Sequence, residues 1–285
     1  MSEKLKNILI RTLSGAILVA FVIGMLCVSK WTAAALFLII LLGGLFEYFR
    51  LVNILGYHPQ KVVGTVLAVA VYGISFVVFY KMGTPVQLFD GALWSVMILF
   101  VILCIPCVYV LELFRRMDHP MENIALTFSP VFYIALPLSL LLFIPYLMVS
   151  QWSWIALLAF ISLVWVNDVF AFLTGLTIGR HKMSERISPK KTWEGFIGGV
   201  TATVLVSVLY ASLLDKSVAI FIGLGVVTAI GAVLGDLVES HMKRSAAVKD
   251  SGSVIPGHGG FLDRFDALLV ASPFAFIYLV LVTNL

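Results

Sequence analysis

Nine stretches of this sequence stay apolar over about 20 residues, the length a helix needs to cross a bilayer. They run approximately 12–29, 31–49, 62–80, 92–111, 124–149, 154–176, 196–214, 218–238 and 266–284. Hydrophobic residues make up 61% of the chain and charged residues 12%, against about a quarter charged in a water-soluble globule. The expected fold is therefore all-α: a polytopic integral membrane protein with about nine transmembrane helices. Residues 1–150 form an N-terminal set of spans, and 151–285 a C-terminal set with the longest polar loops.

The distribution of Lys and Arg orients the spans, because cytoplasmic loops retain positive charge. With the N-terminus in the cytoplasm, Lys30, Lys81 and Lys216 fall outside and the other 16 of the 19 cations fall inside. The run after Lys4, Lys6 and Arg11 has spanning length and no small-residue cleavage site follows it, so it reads as a retained first helix. No cationic block is interleaved with aromatics, which excludes a nucleic-acid surface.

Local signals refine the spans. Little more than Lys30 and Trp31 separates the first two, which implies a tight hairpin. Pro130, Pro137 and Pro145 each remove a backbone donor, so the fifth span is expected to kink or break. Gly231 and Gly235, Ala171 and Gly175, and Gly198 with Gly199 mark faces where helix backbones approach closely. Cys104 and Cys107, in an apolar helical run with no nearby histidine, read as helix packing. Glu47 and Glu112, beside Arg50 and Arg115 in terminal turns, read as surface ion pairs.

Polar chemistry concentrates after residue 165. Asp168 lies inside the sixth span, where a carboxylate costs about 2.5–3.5 kcal/mol on insertion scales and demands a partner or a water-filled recess; it is a catalytic candidate or a buried acid tying helices together. Lys190, Lys191 and Thr192 stand where a helix starts after Ser188-Pro189. A helix N-terminus favours anions, so the lysines suit substrate phosphate or, alternatively, anionic headgroups. Asp236, Glu239 and Ser240 share one helical face. From Ser240 to Asp266 the chain reads SHMKRSAAVKDSGSVIPGHGGFLDRFD. It holds the cations Lys243, Arg244, Lys249 and Arg264, a glycine-rich turn around His258, and Asp263 and Asp266 three apart at the start of the last span. Flexible turn, cations and carboxylates suit a metal-bound polyphosphate. Asp236, Asp263 and Asp266 are the expected metal ligands, with helix caps pairing to Arg264 and Lys243 as the alternative.

Read as S-x-M-K-R-x4-K-D-x-G-x2-I-P-x-H-G-G-F-x-D-R-F-D, this stretch resembles the signature of the phosphatidate cytidylyltransferases (CDP-diacylglycerol synthases) without a break. The segment from Ile187 to Gly195, ISPKKTWEG, resembles the family's second recurrent motif. The resemblance covers residues 165–285 best and places the family's aspartates at Asp168, Asp236, Asp263 and Asp266. It departs at Phe172, where similar sequences often carry Tyr. It implies an enzyme of phospholipid biosynthesis that transfers the cytidylyl group of CTP to phosphatidate, giving CDP-diacylglycerol and pyrophosphate. It further implies a Mg²⁺-dependent homodimer in a bacterial inner membrane, with its site facing the cytoplasm; a second cation such as K⁺ stays open. Asp168, Lys249, His258 and Arg264 are the catalytic candidates, and Lys190, Lys191, Lys243 and Arg244 bind substrate phosphate. An attacking phosphate oxygen is already ionised near neutrality, so His258 reads as a donor or loop-shaping residue rather than a base. A CTP-dependent polyprenol kinase, or a lipid cytidylyltransferase with another acceptor, would use similar parts. A secondary transporter would instead place its charges at mid-membrane in repeated halves, and no inverted repeat is visible.

Overall fold

The computed structural model describes residues 3–81, 91–252, 254 and 259–283, and the side chains of residues 12–79 and from 98 onward within those ranges. The side chains of Lys4, Lys6, Arg11 and Lys81 lie outside the described residues. Eleven α-helices and one small hairpin follow in order among them. Helices α1 (Glu3–Val28), α2 (Lys30–Ile54), α3 (Lys61–Lys81) and α4 (Gly91–Arg115) come first. Next are α5 (Pro120–Pro130), α6 (Leu136–Leu141) and α7 (Ile144–Val149), then α8 (Trp154–Ile178). A two-stranded antiparallel hairpin, β1 (Lys182–Ser184) and β2 (Ser188–Thr192), precedes α9 (Trp193–Leu213), α10 (Val218–Ser245) and α11 (Leu262–Thr283). The hairpin is the one addition to the all-α expectation.

Among the described residues eight segments are long and apolar enough to cross a membrane, and Thr12–Val28 adds a shorter apolar one. The chain is a polytopic membrane protein. Its outer surface agrees: on α4, Leu99 and Leu103 are 61% exposed and Leu113 74%. Such a face is stable only where hydrocarbon or another apolar surface meets it.

Local chemistry explains the breaks. Ser29 alone separates α1 from α2 and accepts a hydrogen bond from the Thr32 amide at 3.1 Å in a reciprocal capping box. The span Pro120–Val149 is broken as its prolines require. α5 ends at Pro130 and a π-turn follows over Val131–Ala135, while Pro137 and Pro145 open α6 and α7. In contrast, α10 continues about two turns past the apolar run ending at 238, which puts Glu239 and Lys243 on the same continuous helix as Asp236.

The C-terminal helices pack pairwise through small residues. A Cβ on Gly235 would overlap the Asp266 carbonyl and approach Ala267 Cα to 2.9 Å, and one on Gly231 would sit 2.7 Å from Ala271 Cα. A Cβ on Gly195 would come 2.6 Å from the Ala171 carbonyl, and one on Gly199 2.7 Å from Asn167 Oδ1. Backbones in contact leave little room for lipid between α8 and α9 or between α10 and α11, so polar side chains on those helices are sheltered from hydrocarbon. α11 also packs on α2, α6 and α7 from the N-terminal half.

Glu47 and Glu112 correct the surface-pair expectation. Glu47 is fully buried and reaches across to the start of α11. Glu112 does pair with Arg115, at 2.7 Å, but is buried and also accepts from Gln60 Nε2 at 2.8 Å and Asn123 Nδ2 at 3.2 Å. Both corrections have one cause, since proximity in sequence to an arginine says nothing about which helix packs over the acid.

Replacing Gly235 by Ala should destabilise the protein by about 2 kcal/mol, within the usual cost of overpacking, because the clash is with backbone. Gly24→Ala, where a Cβ meets nothing within 4 Å, should be neutral or slightly stabilising. Thermal unfolding of the two variants in detergent checks the contrast.

Candidate active site

A cavity of about 720 Å³ opens among the ends of α8, α10 and α11, the start of α9 and the β-hairpin. Each wall has a local origin. Thr192 ends β2 and caps α9, its hydroxyl accepting from the Gly195 amide at 3.1 Å. Glu194 closes the base of the hairpin, accepting from the amides of Arg180 at 3.1 Å and His181 at 3.2 Å and lying 2.5 Å from His181 Nδ1. The hairpin so held brings Lys190 and Lys191 to the cavity.

Three carboxylates from three helices line it. Asp168 of α8 opens onto the recess that its position in a span demands. Asp236 of α10 and Asp266 of α11 share the wall, and all three act on one another electrostatically. Lys191 answers one of them, its ammonium 2.8 Å from Asp236 Oδ2 and 3.1 Å from the Val233 carbonyl. Ser240 donates to Asp236 Oδ1 at 3.2 Å, as expected for residues on one face. Asp266 is 8% exposed, and the charges of Asp236, Asp168 and Lys243 all act on it.

Asp263 also lines the cavity, but its oxygens are already engaged. Oδ1 lies 2.7 Å from the Lys243 ammonium. Oδ2 accepts from the Ser251 amide and hydroxyl, both at 2.9 Å, and from the Gly260 amide at 2.8 Å. Lys243 pairs with the buried Glu239 as well, so its charge sits between two acids of neighbouring helices. The expected ligands Asp236, Asp263 and Asp266 all line the cavity; Asp236 and Asp266 interact electrostatically with Asp168, while Asp263 is engaged by Lys243, Ser251 and Gly260. Helix periodicity put Asp263 and Asp266 on one face, but Asp263 stands in the first turn, where the amides before α11 attract its carboxylate.

Arg264 and Asp250 complete the polar wall. Arg244 and Lys249 do not line it: Arg244 donates to the Val248 carbonyl at 3.3 Å, closing the end of α10, and Lys249 is exposed beyond the left-handed turn at Ala247. Lys243, on the same turns of α10, does line the cavity, so Arg244 is off the wall because it lies about 100° further round the helix. His258 lies outside the described residues. Phe172, Leu176 and Phe196 make the remaining wall apolar, and Phe172 is itself 66% exposed. A recess with charges on one side and exposed apolar side chains on the other can take a ligand with a polyanionic head and a hydrocarbon tail.

Two residues were not anticipated. Asn167 is buried beside Asp168, lines the cavity and packs against Gly199. Glu47 accepts from Phe261 and Leu262, the residues that lead into α11. An Asn-Asp pair inside an apolar run flags the first; a lone Glu near a span end does not flag the second.

The donors present suit Mg²⁺. Among the described residues no three His, Cys, Asp or Glu side chains form a ready-made cage. Mg²⁺ seldom uses one, being held through one or two carboxylates, retained waters and substrate phosphates. Asp236, paired with Lys191, and the buried Asp266, both on the cavity wall, have that chemistry.

The fold and site define a membrane-embedded protein with a charged cavity at one end of its C-terminal helices. Residues 9–282 match the model of the cytidylyltransferase family, and the chain belongs to that family. It is 33% identical over 193 residues to the phosphatidate cytidylyltransferase of Rickettsia bellii (strain RML369-C), covering 65% of this chain and 81% of that protein. It is 44% identical over 120 residues to the enzyme of the same name from Staphylococcus aureus (strain COL), covering 41% of this chain and 46% of that one. It is 42% identical over 118 residues to that of Haemophilus influenzae, covering 39% of this chain and 41% of that one. The match therefore spans less than half the length of the last two relatives.

Replacing Lys243 by Met should cost about 3 kcal/mol or more, because it leaves two buried carboxylates without their shared cation. Adding Glu239→Gln should recover part of the loss. Thermal midpoints of the single and double variants in detergent test this coupling.

Proposed function

We propose that the chain is a phosphatidate cytidylyltransferase, transferring the cytidylyl group of CTP to phosphatidate and releasing pyrophosphate. The observation that supports this most is the cavity, where cationic side chains, carboxylates and exposed apolar residues meet. A phosphate oxygen of the lipid attacks the α-phosphorus of CTP. The new P–O bond forms as the bond to the bridging oxygen of the β-phosphate breaks, and pyrophosphate leaves with that electron pair. Both reactants are anions, so the protein's work is positioning and charge neutralisation.

Lys190 and Arg264 on the cavity wall supply donors for phosphate oxygens. Lys191 holds Asp236 in place and adds positive charge beside it. Asp236 and Asp266, with Asp168 on the same cavity wall, are the residues that would hold Mg²⁺. When bound, Mg²⁺ supplies charge neutralisation for the triphosphate and its leaving group. Asp263, bound to Lys243, Ser251 and Gly260, fixes the start of α11, from which Arg264 projects. Phe172 and Leu176 provide an apolar border for acyl chains.

A cytoplasmic face for the site belongs to this reading, supported by the 16 to 3 bias of Lys and Arg. So do a bacterial inner-membrane location and the homodimer that the family resemblance implies. The detergent-purified protein should release pyrophosphate from CTP, and not from ATP, GTP or UTP, only when phosphatidate is present. Asp266→Asn and Asp236→Asn should each lower kcat by about 100-fold or more, as for loss of a preorganised electrostatic group. Arg244→Ala should stay within about threefold of the parent, because Arg244 lies off the cavity wall. Equal turnover of all four nucleotides would overturn the assignment.

A further inference from the structure

Glu47 lies outside the cavity wall and belongs to the N-terminal half of the chain, yet its carboxylate is filled by Ser251 and by the residues that open α11, the helix that carries Asp263. Oε1 accepts from the Phe261 amide at 2.9 Å. Oε2 accepts from the Leu262 amide at 2.9 Å and the Ser251 hydroxyl at 3.0 Å. These amides open α11, so a carboxylate from α2 does the capping that a residue of α11's own chain segment usually does. The surrounding sequence is shaped for the contact. A Cβ on Gly252 or Gly260 would overlap the Glu47 carboxylate, and one on Gly43, a turn earlier on α2, would overlap the Phe261 ring. The Ser251 hydroxyl touches both Glu47 Oε2 and, at 2.9 Å, Asp263 Oδ2, linking the buried glutamate to a residue of the cavity wall.

We infer that Glu47 is a positioning residue for catalysis: it sets where Ser251, Phe261 and Leu262 sit, and through them where Asp263, Arg264 and Asp266 stand in the cavity. The inference rests on reading that cavity as the site of cytidylyl transfer. A purely structural acid would behave otherwise, and the molecule contains one for comparison. Glu112 is equally buried and accepts from Gln60, Arg115 and Asn123, none of which lines the cavity. Gln at position 47 keeps the volume but turns an amide donor toward groups that are themselves donors. A displacement of about 1 Å in a reacting constellation is enough to lower turnover on the order of 100-fold.

The test uses the full-length protein in detergent, comparing Glu47→Gln, Ser251→Ala and Glu112→Gln with the parent. It reads kcat and KM for CTP with phosphatidate, the thermal midpoint, and amide hydrogen exchange at Phe261 and Leu262 without substrate. Glu47→Gln should lower kcat by about 10- to 100-fold at temperatures where it stays folded, with faster exchange at both amides. Ser251→Ala should show a smaller fall in kcat in the same direction. Glu112→Gln should lower the thermal midpoint while keeping kcat within about twofold, since its network is remote from the cavity. The inference is overturned if Glu47→Gln loses no more turnover than Glu112→Gln, or if exchange at the two amides is unchanged. A parent protein that releases no pyrophosphate from CTP would instead overturn the functional reading, while the exchange data still decide whether Glu47 holds the loop.

Discussion

A carboxylate carried into a bilayer-spanning bundle has to be met by a cation, by N–H donors or by water, because hydrocarbon offers none of these. The C-terminal half of this chain meets the demand in all three ways within one region. Lys243 answers Glu239 and Asp263 together, and backbone amides answer Glu47 and the second oxygen of Asp263. Asp168 opens onto the cavity. Asp236 and Asp266 add two further carboxylates to the wall of that cavity, which suits a ligand that brings its own positive charge.

The arrangement works only because the helices that carry it touch backbone to backbone. Gly235 lets α10 lie against the Asp266 carbonyl, and Gly195 lets α9 lie against Ala171. Bulkier residues would push these helices apart, admit lipid between them and leave the acids unanswered. Packing and electrostatics are thus one requirement here: small residues create the closeness, and closeness makes pairs such as Lys191 with Asp236 possible. The N-terminal half takes part too. α2 receives the loop before α11 on Gly43 and Glu47, so the half without phosphate-type motifs still shapes the cavity.

Much of the fold was legible in the residues. The apolar runs located the spans, the prolines of the Pro120–Val149 segment located its breaks, and the glycine pairs located the close helix contacts. Eight of the eleven expected site residues line one cavity, because their motifs sit at helix ends that the hairpin and short loops gather on one side. Arg244 fell elsewhere because, one residue after the lining Lys243, it lies on another side of α10 and closes the helix end on Val248, while Lys249 stands exposed past the left-handed turn at Ala247. Asp263 and Asp266 differ in their partners because one stands where amides need a cap and the other a turn deeper.

The chain's order of residues was enough to determine that it spans a membrane many times, which family it resembles, and which polar residues stand apart from its hydrocarbon-facing bulk. Those conclusions follow from solvent preference and local periodicity, which each segment expresses by itself. Only the tertiary structure decided which charge answers which. Glu47 and its partners are more than 200 residues apart, and no local rule pairs a glutamate of α2 with the amides that begin α11. That pairing arises when two helices pack and a buried acceptor must find donors.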